Sequence, residues 1–173
     1  MFTSRTRPAL RLLSALTLLA ACGSGNGPEP GGTGTFTAVV SAPGKDPVTI
    51  TGDAPSLGNR GDSNWYTHMV SPDGNSSFRI FFSGAERPAV GEYQMVNFVE
   101  TDATPPVGQF VATGGTDQAS LQGIALASIS GTVTITSSSS TSIVGTFRYQ
   151  AGAFGPGVGT VVEGQFATNN TER

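Results

Sequence analysis

The sequence has very few of the side chains on which metal and redox chemistry depend. It contains one cysteine and one histidine in 173 residues. A single cysteine excludes a disulfide within the chain, and structural zinc sites use four cysteine or histidine ligands. A Ser-His-Asp triad could use only His68, and no Gly-x-Ser-x-Gly elbow is present to carry its serine. We therefore expect no metal, no cofactor and no catalytic role for His68.

Charged residues are also scarce, and residues of like charge are not clustered along the chain. They make up 12% of the chain, and 9 basic against 12 acidic residues give a net charge of −3 at pH 7. Binding to nucleic acid or to anionic lipid depends on clustered lysine and arginine side chains, and this sequence has no such cluster. Nucleic acid is therefore not an expected partner, and any membrane contact needs another basis.

The N-terminal stretch has the layout of a secretory signal. Arg5, Arg7 and Arg11 precede an uncharged, largely apolar run from Leu12 to Ala21 that ends in two small residues. Ten residues of helix span only ~15 Å, about half of the hydrocarbon core of a bilayer, so a permanent membrane span is not expected. Residues 1–21 are predicted to be an export signal.

The residues that end this run, Leu19-Ala20-Ala21-Cys22, resemble the lipobox of bacterial lipoproteins. In that family the cysteine thiol carries a diacylglyceryl group, the signal is cut just before the cysteine, and the new amine is acylated. The resemblance implies a lipidated Cys22, a bacterial cell-envelope location and, from Gly23, the outer rather than the inner membrane. Loss of three signal arginines would leave 6 basic and 12 acidic residues, a mature side-chain charge of −6.

The remaining chain divides into a linker and one domain. Residues 22–35 contain the cysteine and a glycine- and proline-rich stretch that is typical of a flexible tether. Residues 36–173 are long enough for a single hydrophobic core and show short apolar alternations without helical periodicity. The predicted strands are 36–42, 48–52, 65–70, 77–83, 93–98, 108–113, 124–136, 142–151 and 160–167.

These strands predict an all-β fold, a single antiparallel β-sandwich of about nine strands, with a closed lipocalin-like β-barrel as the alternative. The turn residues at 71–75 predict a hairpin between the third and fourth strands. Near the end of the chain, Ile129, Gly131, Val133 and Ile135 are predicted to share the core face of one strand. On the next strand Ile143, Gly145, Phe147 and Tyr149 are predicted to share the core face. Threonines and serines fill the solvent-exposed face of the preceding strand.

A short signature, glycine followed two residues later by an aromatic residue or valine, recurs through this domain. Residues two positions apart on a strand lie on the same face. Each glycine is therefore predicted to leave a notch across which a neighbouring ring can lie. The stretches 131–136, 145–149 and 161–166 also resemble a family of small bacterial lipoproteins with an all-β domain of unknown function. That resemblance implies the fold and the anchor, and it supplies no catalytic residue.

Two functions follow as expectations. Trp65, Tyr66 and Phe154 are the candidates for exposed aromatic side chains that would let an envelope β-sandwich bind a glycan or a partner protein. The alternative is an envelope hydrolase acting on glycans through an acidic pair near Glu100, with Glu92 and Asp102 as its neighbours in sequence. A non-enzymatic binding or scaffolding module is the preferred interpretation, because no other cluster of chemistry-bearing residues is present.

We predict that Cys22 carries the membrane anchor. Replacing Cys22 with serine removes the thiol that the lipid would modify, so metabolic labelling with palmitate should be lost and the signal should stay uncleaved or the protein become soluble. Two or three acyl chains at ~0.8 kcal/mol per buried CH₂ make the native anchor effectively permanent. Labelling of the Cys22→Ser protein at the native level would contradict this prediction.

Overall fold

The structure is a computed structural model that describes residues 34–60, 63–84, 86–101, 104–122, 124–152 and 158–170. Eleven strands and one 3-10 turn, Ala119–Leu121, make up its regular elements. The strands are β1 (Thr35–Ser41), β2 (Val48–Asp53), β3 (Pro55–Arg60), β4 (Ser63–Val70), β5 (Ser76–Phe82), β6 (Gly91–Met95), β7 (Phe110–Thr116), β8 (Ser128–Ser138), β9 (Ile143–Ala151), β10 (Thr160–Ala167) and β11 (Asn169–Asn170).

The predicted all-β class is confirmed, and all nine predicted strands are present, the last with the predicted bounds and the others with shifted ends. β3 and β11 were not predicted. The sequence of β3, Pro-Ser-Leu-Gly-Asn-Arg, is rich in turn-forming residues and has no alternation to distinguish it from a loop. Among the described residues, no helix has the length and apolar character needed to cross a membrane.

Hydrogen-bonded pairing joins all eleven strands in one mixed sheet. Two bridges of a single residue pair divide it into two parts, which we call the first and the second sheet. The first has the order β6-β8-β9-β10-β1-β2 and is antiparallel throughout. The second has the order β11-β3-β4-β5-β7 and is antiparallel except for the short β11–β3 pair. The sheets meet at two seams of one residue pair each, Asp53 with Val70 and Met95 with Phe110. The result is the predicted sandwich, two layers with thin connections at their edges.

At the first seam the chain passes from one sheet to the other within a single segment. β2 ends at Asp53 and β3 begins at Pro55, so Ala54 is the corner residue, and it is fully buried. The Ala54 N–H donates to the Gly34 carbonyl at 2.7 Å, which fixes the corner against the start of β1. Gly52 lies against the backbone of Val70, where an added Cβ would overlap the carbonyl oxygen. Only glycine therefore permits so close an approach of the two layers.

The core lies between the two sheets and is dominated by aromatic side chains. Their inter-sheet contacts are Phe36 with Phe78 at 5.9 Å, Trp65 with Phe166 at 6.0 Å, Tyr93 with Phe110 at 5.4 Å and Tyr93 with Phe82 at 5.5 Å between ring centroids. Most of these pairs meet edge to face, the geometry that aromatic quadrupoles favour. Each such pair joins one layer to the other and buries large apolar area.

Within the first sheet, glycines face aromatic rings on the neighbouring strand, as the recurring signature predicted. The register places Gly164 opposite Phe147, and Gly145 opposite Phe166. A Cβ at position 164 would approach the Phe147 ring to 2.8 Å, and one at position 145 would approach the Phe166 ring to 3.1 Å. Each ring therefore lies across the backbone of a glycine, where any larger side chain would clash with the ring. The arrangement is reciprocal, because each of the two strands supplies one glycine and one ring.

The second seam depends on a buried serine. The Ser128 hydroxyl donates to the Val96 carbonyl at 2.7 Å and accepts from the Ala112 N–H at 3.0 Å, so one side chain joins the two sheets. A bulge between Ser128 and Ser130 turns Ser128 inward. Ile129 was expected to lie on the core face. It is instead the extra residue of the bulge, and its side chain is only half-buried.

Several other buried or turn polar groups have hydrogen-bond partners, whereas the buried hydroxyls of Ser142 and Thr160 have none among the described residues. The Tyr149 hydroxyl donates to the Leu126 carbonyl at 3.1 Å, and burial raises the pKa of this phenol above its ordinary value. The hydroxyl of Thr168 accepts from the Ile143 N–H at 2.8 Å. In the predicted hairpin between β4 and β5, hydrogen bonds from the Ser71 hydroxyl and the Asn75 N–H lower the pKa of Asp73. The sequence prediction of this hairpin is confirmed.

We predict that Phe147 is one of the most important core residues for stability. Its side chain is 3% exposed and contacts Phe166 and Tyr149. Truncation to alanine removes those contacts and leaves a cavity, so the free energy of unfolding should fall by ~3–5 kcal/mol. Denaturant unfolding followed by the fluorescence of the single tryptophan measures this loss. Thr146→Ala, on the exposed face next to it, is the control and should change stability by less than about 0.5 kcal/mol.

The Ser128 hydroxyl makes a second prediction possible. Ser128→Ala leaves the Ala112 N–H and the Val96 carbonyl without their partner at the seam, and the free energy of unfolding should fall by ~1–3 kcal/mol. Ser130→Ala, two residues along the same strand and exposed, is the matched control. Hydrogen exchange of the Ala112 amide should accelerate in the Ser128 variant, and equal stability of the two variants would show that the seam does not depend on this hydroxyl.

Candidate functional site

A groove crosses the outer face of the first sheet, on the side away from the core. Its volume is about 430 Å³, and strands β1, β8, β9 and β10 form its floor and walls. We call it the threonine groove; its lining residues are Thr37, Val39, Thr132, Thr134, Thr146, Phe147, Arg148, Glu163, Gly164 and Gln165. Among ligand-binding pockets of proteins, which range over ≈300–1,000 Å³, this is a modest volume.

Strand register arranges the lining side chains in two straight rows across the sheet. The first row runs Thr37, Gln165, Thr146, Thr134, and the second runs Val39, Glu163, Arg148, Thr132. In β8, β9 and β10 these residues alternate with core residues, which is why the rows face outward. Thr37 on β1 lines the same groove by register, but its side chain is largely buried. Neighbouring strands lie ≈4.8 Å apart, so four strands extend each row over roughly 14 Å.

Gln165 lies in the first row between Thr37 and Thr146. Its Nε2 atom is buried and has no hydrogen-bond partner within the part of the chain that the structure describes. A buried polar atom without a partner costs ~1–3 kcal/mol. This nitrogen lies beneath the groove surface, so a ligand or water reaches it only when the Gln165 side chain turns outward.

The two charged side chains of the groove are paired with each other. Arg148 Nε donates to Glu163 Oε2 at 3.2 Å, in directly opposite positions on β9 and β10. Both side chains are more than half exposed, so the pair adds little to stability. Its effect on the site is electrostatic, because opposite charges side by side leave the groove without net charge.

Two further concavities are smaller. One of about 280 Å³ lies between β2 and the β4–β5 turn and is lined in part by Thr49, Asp73 and Gln118. The other, of about 220 Å³, is on the outer face of the second sheet and is lined by Ser77, Arg79, Thr113 and Gly114. Each joins fewer or less aligned polar groups than the threonine groove.

Two of the three aromatic residues predicted from the sequence, Trp65 and Tyr66, are described, and they lie on opposite faces of β4. The expectation that Trp65 is exposed is wrong, since this ring is fully buried between Phe110 and Phe166. Its position on β4 points it into the core, and a large ring there buries more apolar area than any other side chain could. Tyr66 is half-buried on the opposite face of β4 and stacks on Phe81 at 5.9 Å. Phe154 lies outside the described residues.

Two of the three acidic residues of the alternative interpretation, Glu92 and Glu100, are among the described residues. Glu92 is exposed on β6 at the end of the first row, opposite Thr134, and Glu100 is exposed in the turn that follows β6. Asp102 lies outside the described residues. His68 is on the outer face of the second sheet, opposite Arg79. Across the described ranges, no group of three or more His, Cys, Asp or Glu side chains could hold a metal ion.

The sequence indicated which strand residues face solvent, but it did not show that residues of four strands meet in one groove. Alternating threonines at 132–136 predicted a wet face, and that prediction is confirmed by the outward position of Thr132 and Thr134. Nothing in the local pattern shows that Thr37, a hundred residues earlier, lies in the same row. Cys22 and the remainder of the tether up to residue 33 lie outside the described residues, and lipidation stays a prediction.

Comparisons with protein-family models, with curated proteins and with solved structures found no match to this chain. The resemblance to small bacterial lipoproteins therefore stays a prediction from the sequence.

Proposed function

We propose that this protein is a non-enzymatic binding module of the bacterial cell envelope, anchored by lipid at Cys22, and that the threonine groove is its binding surface. The observation that carries the proposal is the alignment of polar side chains from four strands around the unpartnered Gln165 amide. A preformed groove with a few convergent polar groups is the usual form of a ligand site. The anchor is supported by the charge, length and small residues of the segment before Cys22.

The groove has the groups needed for binding rather than those needed for hydrolysis. Acid-base cleavage of a glycosidic bond uses two carboxyl groups ≈5–10 Å apart. Of the groove's described lining residues only Glu163 is acidic, and it is paired with Arg148. Glu92 is on the same face but three strand spacings away, roughly 14 Å. The spacing of Glu163 and Glu92 therefore supports binding rather than acid-base cleavage in the groove, and the acidic pair near Glu100 stays a separate alternative.

The position of the tether is compatible with presentation of the groove. The described chain begins at Gly34, whose N–H donates to the Ala167 carbonyl at the end of β10. The tether is thus connected to the end of the sheet at which β1 begins and its neighbour β10 ends, and both strands line the groove. A lipid at the far end of the tether would leave the outer face of this sheet open to the envelope.

Site-specific cross-linking in the cells of origin tests the groove as the binding surface. A benzophenone side chain is introduced at Thr146, in the first row, or at Thr113, on the outer face of the second sheet. Because a benzophenone inserts only into C–H bonds within contact distance, position 146 should give an irradiation-dependent adduct with envelope material and position 113 should not. Equal adducts at the two positions, or none at position 146, would overturn the proposal.

A further inference from the structure

We infer that the ligand of the threonine groove is a neutral oligosaccharide that lies across the strands, along the two rows of side chains. This inference rests on the proposed function and adds the chemical class of the ligand and its direction. It follows from three properties of the groove: its regular hydroxyl spacing, its charge balance and its lack of an exposed ring.

The first property is the repeat of hydroxyl groups. Thr37, Thr146, Thr134 and Thr132 come from three strands, and Gln165 lies between the first two in register. Each threonine hydroxyl is both a donor and an acceptor, and the amide of Gln165 offers both functions as well. Sugar hydroxyls have the same dual character, so every ring of a chain could exchange hydrogen bonds with the row without being left with a buried donor or acceptor.

Threonine also supplies apolar contact at the same positions. Each side chain presents a methyl group beside its hydroxyl, and Val39 extends this apolar surface at the end of the second row. A sugar ring has C–H groups on its faces and hydroxyls at its rim, so it matches a surface on which both kinds of group alternate. Gln165 adds an amide to this surface, and turning its Nε2 outward onto a sugar hydroxyl would satisfy a group that is otherwise buried without a partner.

The charge balance favours a neutral ligand. Arg148 and Glu163 face each other at 3.2 Å, and the whole chain carries a net charge of −3 at pH 7. An anionic polymer would meet a groove of no net charge on an acidic protein and would gain no long-range attraction. The pair still contributes hydrogen bonds, since only Nε of Arg148 is used by Glu163 and the guanidinium has further N–H donors.

The lack of an exposed ring distinguishes this ligand from a protein partner. Protein interfaces concentrate their energy in buried anchors, above all aromatic residues and arginine, and the arginine of the groove lining, Arg148, is already paired with Glu163. The aromatic residue among the groove's lining residues is Phe147, and its ring is 3% exposed because it packs against Phe166. The groove therefore offers many modest hydrogen bonds along a line rather than one deep apolar pocket, which suits an extended polyhydroxylated chain.

Binding of the full chain, purified in detergent, to an array of neutral and acidic oligosaccharides tests the inference. The array contains α- and β-linked hexose and N-acetylhexosamine chains of two to eight units, together with oligogalacturonates. Neutral chains should bind, and affinity should rise with length until the rows are filled. Affinities of the best neutral chain are then measured by calorimetry for the native protein and its variants.

The variants are Thr146→Val and Gln165→Leu, which keep approximate size and remove hydrogen-bonding groups, and Thr113→Val as the control on the other sheet. Each groove variant should bind about 5- to 10-fold more weakly, the loss expected for one or two neutral hydrogen bonds, and the control should bind as the native protein does. Matched thermal melts confirm that all three are folded.

The outcomes separate the ligand class from the site. Preference for oligogalacturonates, or no binding to any sugar while position 146 still forms adducts in cells, overturns the oligosaccharide and leaves the groove as the binding surface. Sugar binding that is unchanged in both groove variants overturns the placement of the ligand. A protease-sensitive adduct at position 146 together with a silent array assigns the groove to a protein partner instead.

Discussion

The packing of Trp65 against rings of both layers is the interaction on which the sandwich depends. Trp65 belongs to the second sheet; it meets Phe110 of its own sheet edge to face and Phe166 of the first sheet at 6.0 Å. Main-chain pairing between the sheets is limited to one residue pair at each seam, so hydrogen bonds alone would not hold the layers together. The buried aromatic contacts supply the missing attraction between the two sheets. At one edge the Ser128 hydroxyl adds hydrogen bonds to the backbone of both sheets.

The same alternation that builds this core also builds the groove. On β9 and β10 the residues Phe147 and Phe166 face inward, and the residues before them, Thr146 and Gln165, face outward into one row. Glycine opposite each ring lets the strands lie close without obstructing the ring. A change of register by one residue would exchange the two faces, placing threonines in the core and rings in solvent. Stability and the proposed binding surface therefore depend on a single register.

The aromatic side chains do not serve the role that the sequence suggested for them. A tryptophan and a tyrosine next to each other on a strand must point to opposite faces, so Trp65 and Tyr66 could not have formed one platform. Trp65 went to the core and Tyr66 to the outer face of the second sheet, where it stacks on Phe81. Binding by hydroxyl and amide groups of the first sheet thus replaces binding by stacked rings as the best-supported interpretation.

The sequence by itself determined the all-β class, the nine main strands, the hairpin at 71–75 and the inward face of β9, because these depend on local alternation and turn chemistry. It also supplied the whole case for Cys22. It did not reveal β3, which lacks alternation and is a strand because β4 pairs with it. It also did not reveal the bulge that places Ser128 rather than Ile129 at the seam. Only the tertiary structure decided the groove, since its rows unite Thr37 with residues more than ninety positions later through strand order and register, which are long-range properties.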